Sequence, residues 1–325
     1  MGKKPRVSVG IPVYNGEDFL ASALDSLLAQ SFQDFEIIIS DNASTDQTGA
    51  ICSAYAARDA RIRYSVNPKN IGLAGNHNRL IELASGEYFM WHAHDDQAAS
   101  EYLAQCVQVL DHNPEVVLCF AKTIDIGEDG SLIDSDNPHR RRAIPPEALA
   151  VDAKEPHVRF RDVIKLDHQC EPDYGVMRLG ILRKTPMHGK YADADRVLLA
   201  EMVLHGPFHM LREPLFLHRE HAHRSVKVYP NRQARTALLD PAMAGRIVFP
   251  HWKEFRELWA CIQRVPLDAR ERSKCRGELL RWARDYRRRL ASDLRVGART
   301  FLKKVLPQPV QRTVKRMRRG EQPLP

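Results

Sequence analysis

Between residues 7 and 120, short apolar runs rich in Val, Ile and Phe alternate with segments whose leucines recur at helical spacing. That alternation constrains the chain more than any other feature. Residues 7–13 (VSVGIPV) read as a strand, residues 17–30 carry Leu20, Leu24, Leu27 and Leu28 on one helical stripe, and residues 35–40 return as a second strand. The pattern continues as helix 46–57, strand 62–65, helix 73–84, strand 88–91, a helix from about 100 to 110, and strand 116–120. Units of this length joined strand–helix–strand demand parallel pairing, with helices over both faces of the sheet. The expected fold class is therefore α/β: a Rossmann-like, mostly parallel sheet flanked by helices. Ligands of such sheets bind beyond the carboxyl ends of the strands, where the strand order reverses. The residues that follow each strand are thus the first to inspect.

Beyond residue 120 the signals thin out. Residues 128–155 lack an apolar period and read as a long surface loop or lid; 156–166 is a helix, 174–182 is strand-like, 195–204 is helical, and 208–211 and 215–218 are strands. From about residue 242 the chain becomes helical and basic. The net charge of +8 is uneven: residues 1–250 hold 28 basic and 33 acidic side chains, whereas residues 251–325 hold 21 and 8. This shift divides the chain into an expected domain over 1–240 and a basic amphipathic helical C-terminal extension over 241–325. In that extension Leu279, Ala283, Tyr286, Leu290 and Leu294 form an apolar stripe, with Arg281, Arg284, Arg287, Arg288 and Arg295 between them. Such a helix suits an anionic membrane surface; the competing reading packs the stripe on the main body, and nucleic acid is not the expected partner.

Composition excludes several classes. At 43% hydrophobic and 28% charged residues the chain is an ordinary globular one, without 18 consecutive apolar residues or an N-terminal apolar run of signal-peptide length. A cytoplasmic location is expected, with peripheral contact on the inner face of the plasma membrane. The six cysteines show no C-x-x-C spacing, which argues against a zinc site or a disulfide framework. No G-x-G-x-x-G follows the first strand, so a nicotinamide enzyme is not expected.

The strand ends carry the chemistry. The first runs into Pro12-Val13-Tyr14-Asn15-Gly16 and the second into Ser40-Asp41-Asn42-Ala43-Ser44-Thr45-Asp46. Tyr14 can stack on a base and Asp41 can accept from a pyrimidine N–H, while Asp46 reads as a cap for the following helix. The strand over 88–91 leads into His92-Ala93-His94-Asp95-Asp96. Adjacent carboxylates repel unless a cation offsets them, and Mn²⁺ or Mg²⁺ bridging carboxylate to phosphate would do so. Further on, Asp193 and Asp195 open an apolar helix, and His218-Arg219-Glu220-His221-Ala222-His223-Arg224-Ser225 concentrates imidazole and guanidinium without the spacing of a zincin.

The ordered set V-S-V-G-I-P-V-Y-N-G, S-D-N-A-S-x-D, N-x-x-N-x-G, S-G-E-Y and A-H-D-D resembles a family 2 glycosyltransferase of GT-A fold over about residues 6–225. The resemblance implies an inverting, metal-dependent transfer of a sugar from a nucleoside diphosphate sugar, with a UDP-sugar the favoured donor. By the family pattern Pro12, Tyr14, Asn15 and Asp41 hold base and ribose, and Asn70, Gly72 and Asn78 shape the nucleotide pocket. Asp96 with His221 takes the metal, and Asp95 lies near the ribose or donor sugar. Arg219 and Arg224 face the diphosphate, and Asp195 is the catalytic base. His94 departs from the family, standing where many members carry the first Asp of the D-x-D element. The implied acceptor is a glycan or polyprenyl-linked glycan, as in bacterial surface polysaccharide synthesis, and its pocket is expected near 128–155 and Tyr174 to Arg178. Two other classes compete. A sugar nucleotidyltransferase would need a Gly- and Arg-rich loop where this chain has P-V-Y-N-G, and a degenerate scaffold that only binds membrane or partners would not be expected to keep Asp41, Asp95, Asp96 and Asp195.

Overall fold

A computed structural model describes residues 4–133, 149–166, 171–228, 232–243 and 246–305. The N-terminal part follows the sequence pattern closely: β1 (Val7–Val13), α1 (Leu20–Leu28), β2 (Phe35–Asp41), α2 (Thr48–Arg58), β3 (Ile62–Val66), α3 (Leu73–Leu83) and β4 (Tyr88–Trp91). A two-residue β5 (Gln97–Ala98), α4 (Tyr102–His112) and β6 (Leu118–Ile126) come next, then α5 (Pro156–Val163), β7 (Val176–Arg178), α6 (Leu179–Leu182), α7 (Ala194–His205) and β8 (Phe208–Arg219). Among the described residues the chain closes with α8 (Ser225–Val228), α9 (Arg232–Leu239), α10 (Pro250–Arg264), α11 (Ala269–Asp285) and α12 (Arg287–Val305).

The strands form one eight-stranded sheet in the order β3-β2-β1-β4-β7-β6-β8-β5. β1 pairs in parallel with both β2 and β4, so the chain steps outward to β3 and then returns to the other side of β1. The crevice above β1 is therefore the switch point. β7 is antiparallel to both β4 and β6 and stitches the parallel N-terminal strands to the parallel β6–β8 pair. Burial on both faces explains the apolar runs: Ile37 and Ile39 of β2 enter one core, while Ile38 between them enters the other.

Three expectations change here. The two short strands read over 208–218 are one continuous β8, and its register against β6 slips where Lys122 faces Pro214, a residue with no N–H to donate. Residues 174–182, read as strand-like or a short buried segment, divide into the end of a 3₁₀ turn, the three-residue β7 and the helical turn α6. The basic extension is not one helix, and most of its stripe is already covered. Leu279 and Trp282 of α11 and Leu258, Cys261 and Ile262 of α10 are fully buried in the same core as α7 and β4, Ala283 and Tyr286 pack against it, and Leu290 is buried; Leu294 is exposed. Each such large apolar side chain contributes about 1.5–3 kcal/mol by leaving water, so most of the stripe packs on protein, the competing reading of the sequence. No helix among the described residues is long and apolar enough to cross a membrane. Five of the six cysteines are described, all free and buried as expected, and Cys170 lies outside the described residues.

Candidate active site

At the switch point the loops after β1 and β2 are bonded into one rim. Asn15, at φ 52°, accepts from the Thr45 N–H through its side-chain oxygen (2.9 Å), and its own N–H donates to Ser44 Oγ (2.9 Å). The Gly16 N–H donates to Thr48 Oγ1 (2.8 Å), and the His94 ring lies so close that a Cβ on Gly16 would stand 2.6 Å from it. Asp41 forms the floor. It is buried, accepts from the Ser44 N–H (2.8 Å) and the Tyr64 hydroxyl (2.8 Å), and faces the rim that carries the exposed Tyr14. Asp46 accepts from the Thr48 and Glu17 N–H groups, the anchoring role expected of it. Pro12, opposite Ser40 in the β1–β2 register, lies beneath this rim.

An asparagine cluster braces the next loop. Asn42 accepts from the Ile71 N–H (2.9 Å) and donates to Asn70 (3.0 Å), and Asn70 in turn accepts from the Gly72 N–H (2.9 Å). Gly72, at φ 79°, supplies the left-handed turn into α3 that a side chain would strain. The α3 residue that joins the cluster is Asn76, which bonds Ser40, Asn67 and the Ser40 carbonyl. Asn78 lies elsewhere: it exchanges two hydrogen bonds of 2.9 Å with the His188 backbone, tying α3 to the loop before α7. The sequence held the signal, since Asn76 shares its helix face with the buried Leu80 four residues on, and Asn78 does not.

The two carboxylates of the Asp95–Asp96 pair have different partners. Asp96 is 0% exposed and turned toward β8, where it accepts from the Arg219 N–H (2.9 Å) and from His218 Nδ1 (3.0 Å). These two donors hold the carboxylate against β8. Asp95 instead meets His221, with Nε2 2.9 Å from Oδ2. Burial opposes its charge, but His94, His221 and His218 around it outweigh that and hold its carboxyl well below the usual range. Arg219 is also committed: its guanidinium donates to the carbonyls of Asp95, Gly127 and Glu128 and to Ser22 Oγ, and lies over Phe19. It is a strut that holds the Asp95 loop, not a group free to meet a diphosphate. Arg224 is paired with Glu220.

The two acidic candidates at α7 separate as clearly. Asp193, in the left-handed region at φ 64°, lies against Arg232 (2.8 Å) and Arg196 (3.8 Å), and both arginines also bond the buried Glu254. It is the N-cap by position without a capping hydrogen bond. Asp195 is in the first turn of α7, only partly buried, and its Oδ1 accepts the neighbouring Arg196 N–H. Beneath it lies a cluster not foreseen from sequence: His188 packs edge-on to His77 and Trp91 at 5.0 and 4.7 Å, with Asp173 3.5 Å from its Nε2. Burial, reinforced by the Asp195 charge, pushes Asp173 well above the carboxylate range. Burial likewise pushes His188 down to about 4, and burial plus His188 pushes His77 down to about 3. A neutral acid and two neutral imidazoles therefore underlie the candidate base.

In the expected acceptor region the side chains of Tyr174 and Arg178 are engaged with protein. Tyr174 stacks on Phe216, and Arg178 donates to the Leu110, Asn113 and Val116 carbonyls. Residues 134–148 of the expected lid lie outside the described residues. Among the described residues, no group of three His, Cys, Asp or Glu forms a ready metal cage. Asp95 and His221 nonetheless suit a hard divalent ion that takes few protein ligands and completes its shell with phosphate oxygens and water.

A parallel sheet with acidic loops at its switch point and a carboxylate opening a later helix defines the GT-A class of nucleotide-sugar enzymes. Residues 8–163 match the family model described as Glycosyl transferase family 2, and the domain over these residues belongs to that family. The chain is 26% identical over 281 residues to the uncharacterized glycosyltransferase EpsJ of Bacillus subtilis, covering 81% of this chain and 77% of that protein. It is 30% identical over 215 residues to the uncharacterized protein Rv1520 of Mycobacterium tuberculosis, covering 65% of this chain and 57% of the relative. Against the uncharacterized protein y4gI of Sinorhizobium fredii it is 33% identical over 133 residues, 40% of this chain but 15% of that protein's length. Two solved structures share the fold: TarS 1–349 of S. aureus in complex with UDP-GlcNAc (TM-score 0.61, 17% identity, 91% of this chain and 81% of that one) and the mannosyltransferase PcManGT of Pyrobaculum calidifontis in complex with GDP-Man and Mn²⁺ (0.56, 14%, 96% and 79%).

Proposed function

We propose that this chain transfers a sugar, with inversion, from a nucleoside diphosphate sugar to a hydroxyl of a glycan or lipid-linked acceptor in surface polysaccharide synthesis. The observation that carries the reading is the Asp95–His221 pair held by Arg219 at the end of β4, one strand from the Asp41 floor. Asp41 and Tyr14 receive the base and ribose, and UDP is the favoured nucleotide because a buried acceptor carboxylate suits the uracil N–H. Asp95 and His221 would hold Mn²⁺ or Mg²⁺, which would neutralise charge on the departing diphosphate. Asp195 takes the proton of the acceptor hydroxyl as its oxygen bonds to the anomeric carbon from the opposite face. The bond from that carbon to the diphosphate oxygen breaks, and its electron pair leaves with the nucleoside diphosphate. Beneath Asp195, burial keeps Asp173 and His188 neutral.

The test measures UDP release from UDP-sugars with Mn²⁺, on wild type and Asp195→Asn, together with UDP binding. Asp195→Asn should lower turnover by about 10²- to 10⁴-fold with UDP affinity unchanged. Wild-type turnover in that variant would overturn the assignment of the base. Absence of any nucleotide binding by the folded wild type would favour the degenerate-scaffold alternative.

A further inference from the structure

A large cavity lies along α10, away from the nucleotide cleft. It encloses about 800 Å³, within the range of small-molecule sites, and none of the sequence-predicted site residues lines it. Its walls are apolar. Trp252, Phe255 and Trp259 follow one another along α10 with ring centroids 6.3 and 6.4 Å apart, and Phe249, Ile247, Val248 and Met243 complete the lining. Phe249 is backed by Gly297 of α12, where a Cβ would stand 2.5 Å from its ring. Phe249, Trp252 and Trp259 remain 39%, 41% and 37% exposed, an aromatic surface left to water in a chain that buries its other tryptophans.

Charge gives the groove a direction. Lys190, Lys253 and Arg256 stand at its edge with a single partnering carboxylate, Glu257, which takes Lys253 at 2.8 Å and Arg256 at 3.4 Å. Lys190, Tyr191 and Lys253 also line a second cavity of about 270 Å³ against Val197 and Leu198 of α7, the helix that begins beside Asp195; Glu257 and the ion-paired Glu201 and Arg264 line it too. The cationic end of the apolar groove thus opens toward the helix that carries the candidate base. A ligand complementary to both parts has a long hydrocarbon chain and an anionic head.

We propose that this groove binds the lipid of the acceptor, a prenyl chain bearing a phosphate or diphosphate headgroup, with the chain along Trp252, Phe255 and Trp259 and the head at Lys190 and Lys253. The inference rests on the glycosyl-transfer reading above and names its acceptor class. Each buried methylene is worth about fourfold in affinity, so affinity should rise with chain length at a constant headgroup.

The test titrates the full chain with geranylgeranyl diphosphate, geranyl diphosphate and inorganic diphosphate below their micelle concentrations, by calorimetry, with phosphatidylglycerol vesicles as a separate arm. The C20 probe should bind at least 100-fold more tightly than inorganic diphosphate, with the C10 probe between. Trp259→Ser and Lys253→Gln should each weaken it at least tenfold, Trp259→Phe should restore it, and the thermal shift with UDP should stay unchanged in all three. Equal binding of the prenyl and inorganic diphosphates, no effect of Trp259→Ser, or association with vesicles alone would each overturn the proposal. Prenyl binding without any UDP binding would leave the groove standing and refute the transferase reading, and the reverse would refute the groove alone.

Discussion

Asp96 and Asp95 are neighbours in sequence with opposite consequences when neutralised. Asp96 is fully buried and engages two donors, the Arg219 N–H at 2.9 Å and His218 Nδ1 at 3.0 Å. Asp96→Ala removes the carboxylate and strands both donors, and breaking a buried charged pair in this way costs about 3–5 kcal/mol. Each kilocalorie moves the midpoint of a chain near this size by about 2–4 °C, so a fall of roughly 6–20 °C is expected. Asp96→Asn keeps one acceptor oxygen for the Arg219 N–H and should lose less. Asp95, whose side chain is 20% exposed beside His221, can become Asn with little change in midpoint; what it should lose is the Mn²⁺-dependent part of the UDP thermal shift. The assay is a melting series on wild type, Asp96→Ala, Asp96→Asn and Asp95→Asn, with and without UDP and Mn²⁺. If Asp96→Ala melts like wild type and loses the metal-dependent shift while Asp95→Asn retains it, the division of roles is wrong.

Acid should act through the two neutral histidines. The unfolded chain protonates its histidines near 6.5, whereas burial holds His188 and His77 down to about 4 and about 3. Their stabilising effect is complete above pH 6.5 and is lost as pH falls through those folded values, at about 1.4 kcal/mol per pH unit for each ring. Denaturant midpoints between pH 6.5 and 4.5 should therefore fall less steeply in His188→Gln, and an unchanged slope would show that His188 is already protonated in the fold. Leu279→Ala should cost about 2–5 kcal/mol, because Leu279 is 0% exposed in the main core; a loss below 1 kcal/mol by urea denaturation would mean that α11 is dispensable. Gly16→Ala would drive a methyl against His94 and Val13, and should weaken UDP binding measurably more than it lowers the melting temperature.

The first four strands were legible because burial on both faces leaves an apolar run that only a parallel sheet explains, and their ends located Tyr14, Asp41 and Asp95 at the switch point. Asp195 was legible as a carboxylate opening an apolar helix. Other roles were not, because they depend on which way a side chain turns. Adjacent Asp95 and Asp96 face opposite sides of their loop, and Arg219 spends its donors on carbonyls 90 or more residues distant in sequence. The Asp173–His188–His77 cluster joins three separate segments, and no spacing in the sequence announces it. The basic stripe misled for a related reason. Periodicity reveals that a helix has an apolar face but not what covers it, and α11 spends Leu279 and Trp282 on protein.

The unequal reach of the two cores along the chain has a consequence for synthesis. The core on one face of the sheet takes its last residue, Phe216, from β8, whereas the opposite core is not complete until Trp282 of α11. Emerging at about 5–20 residues per second, the chain must wait roughly 3–13 s between these points. During that interval α5 and α7 lack the helices that pack on them, because α11 packs on α5 and α10 on α7. A ribosome stalled between the two positions would display a sticky, half-clad layer of helices over the sheet.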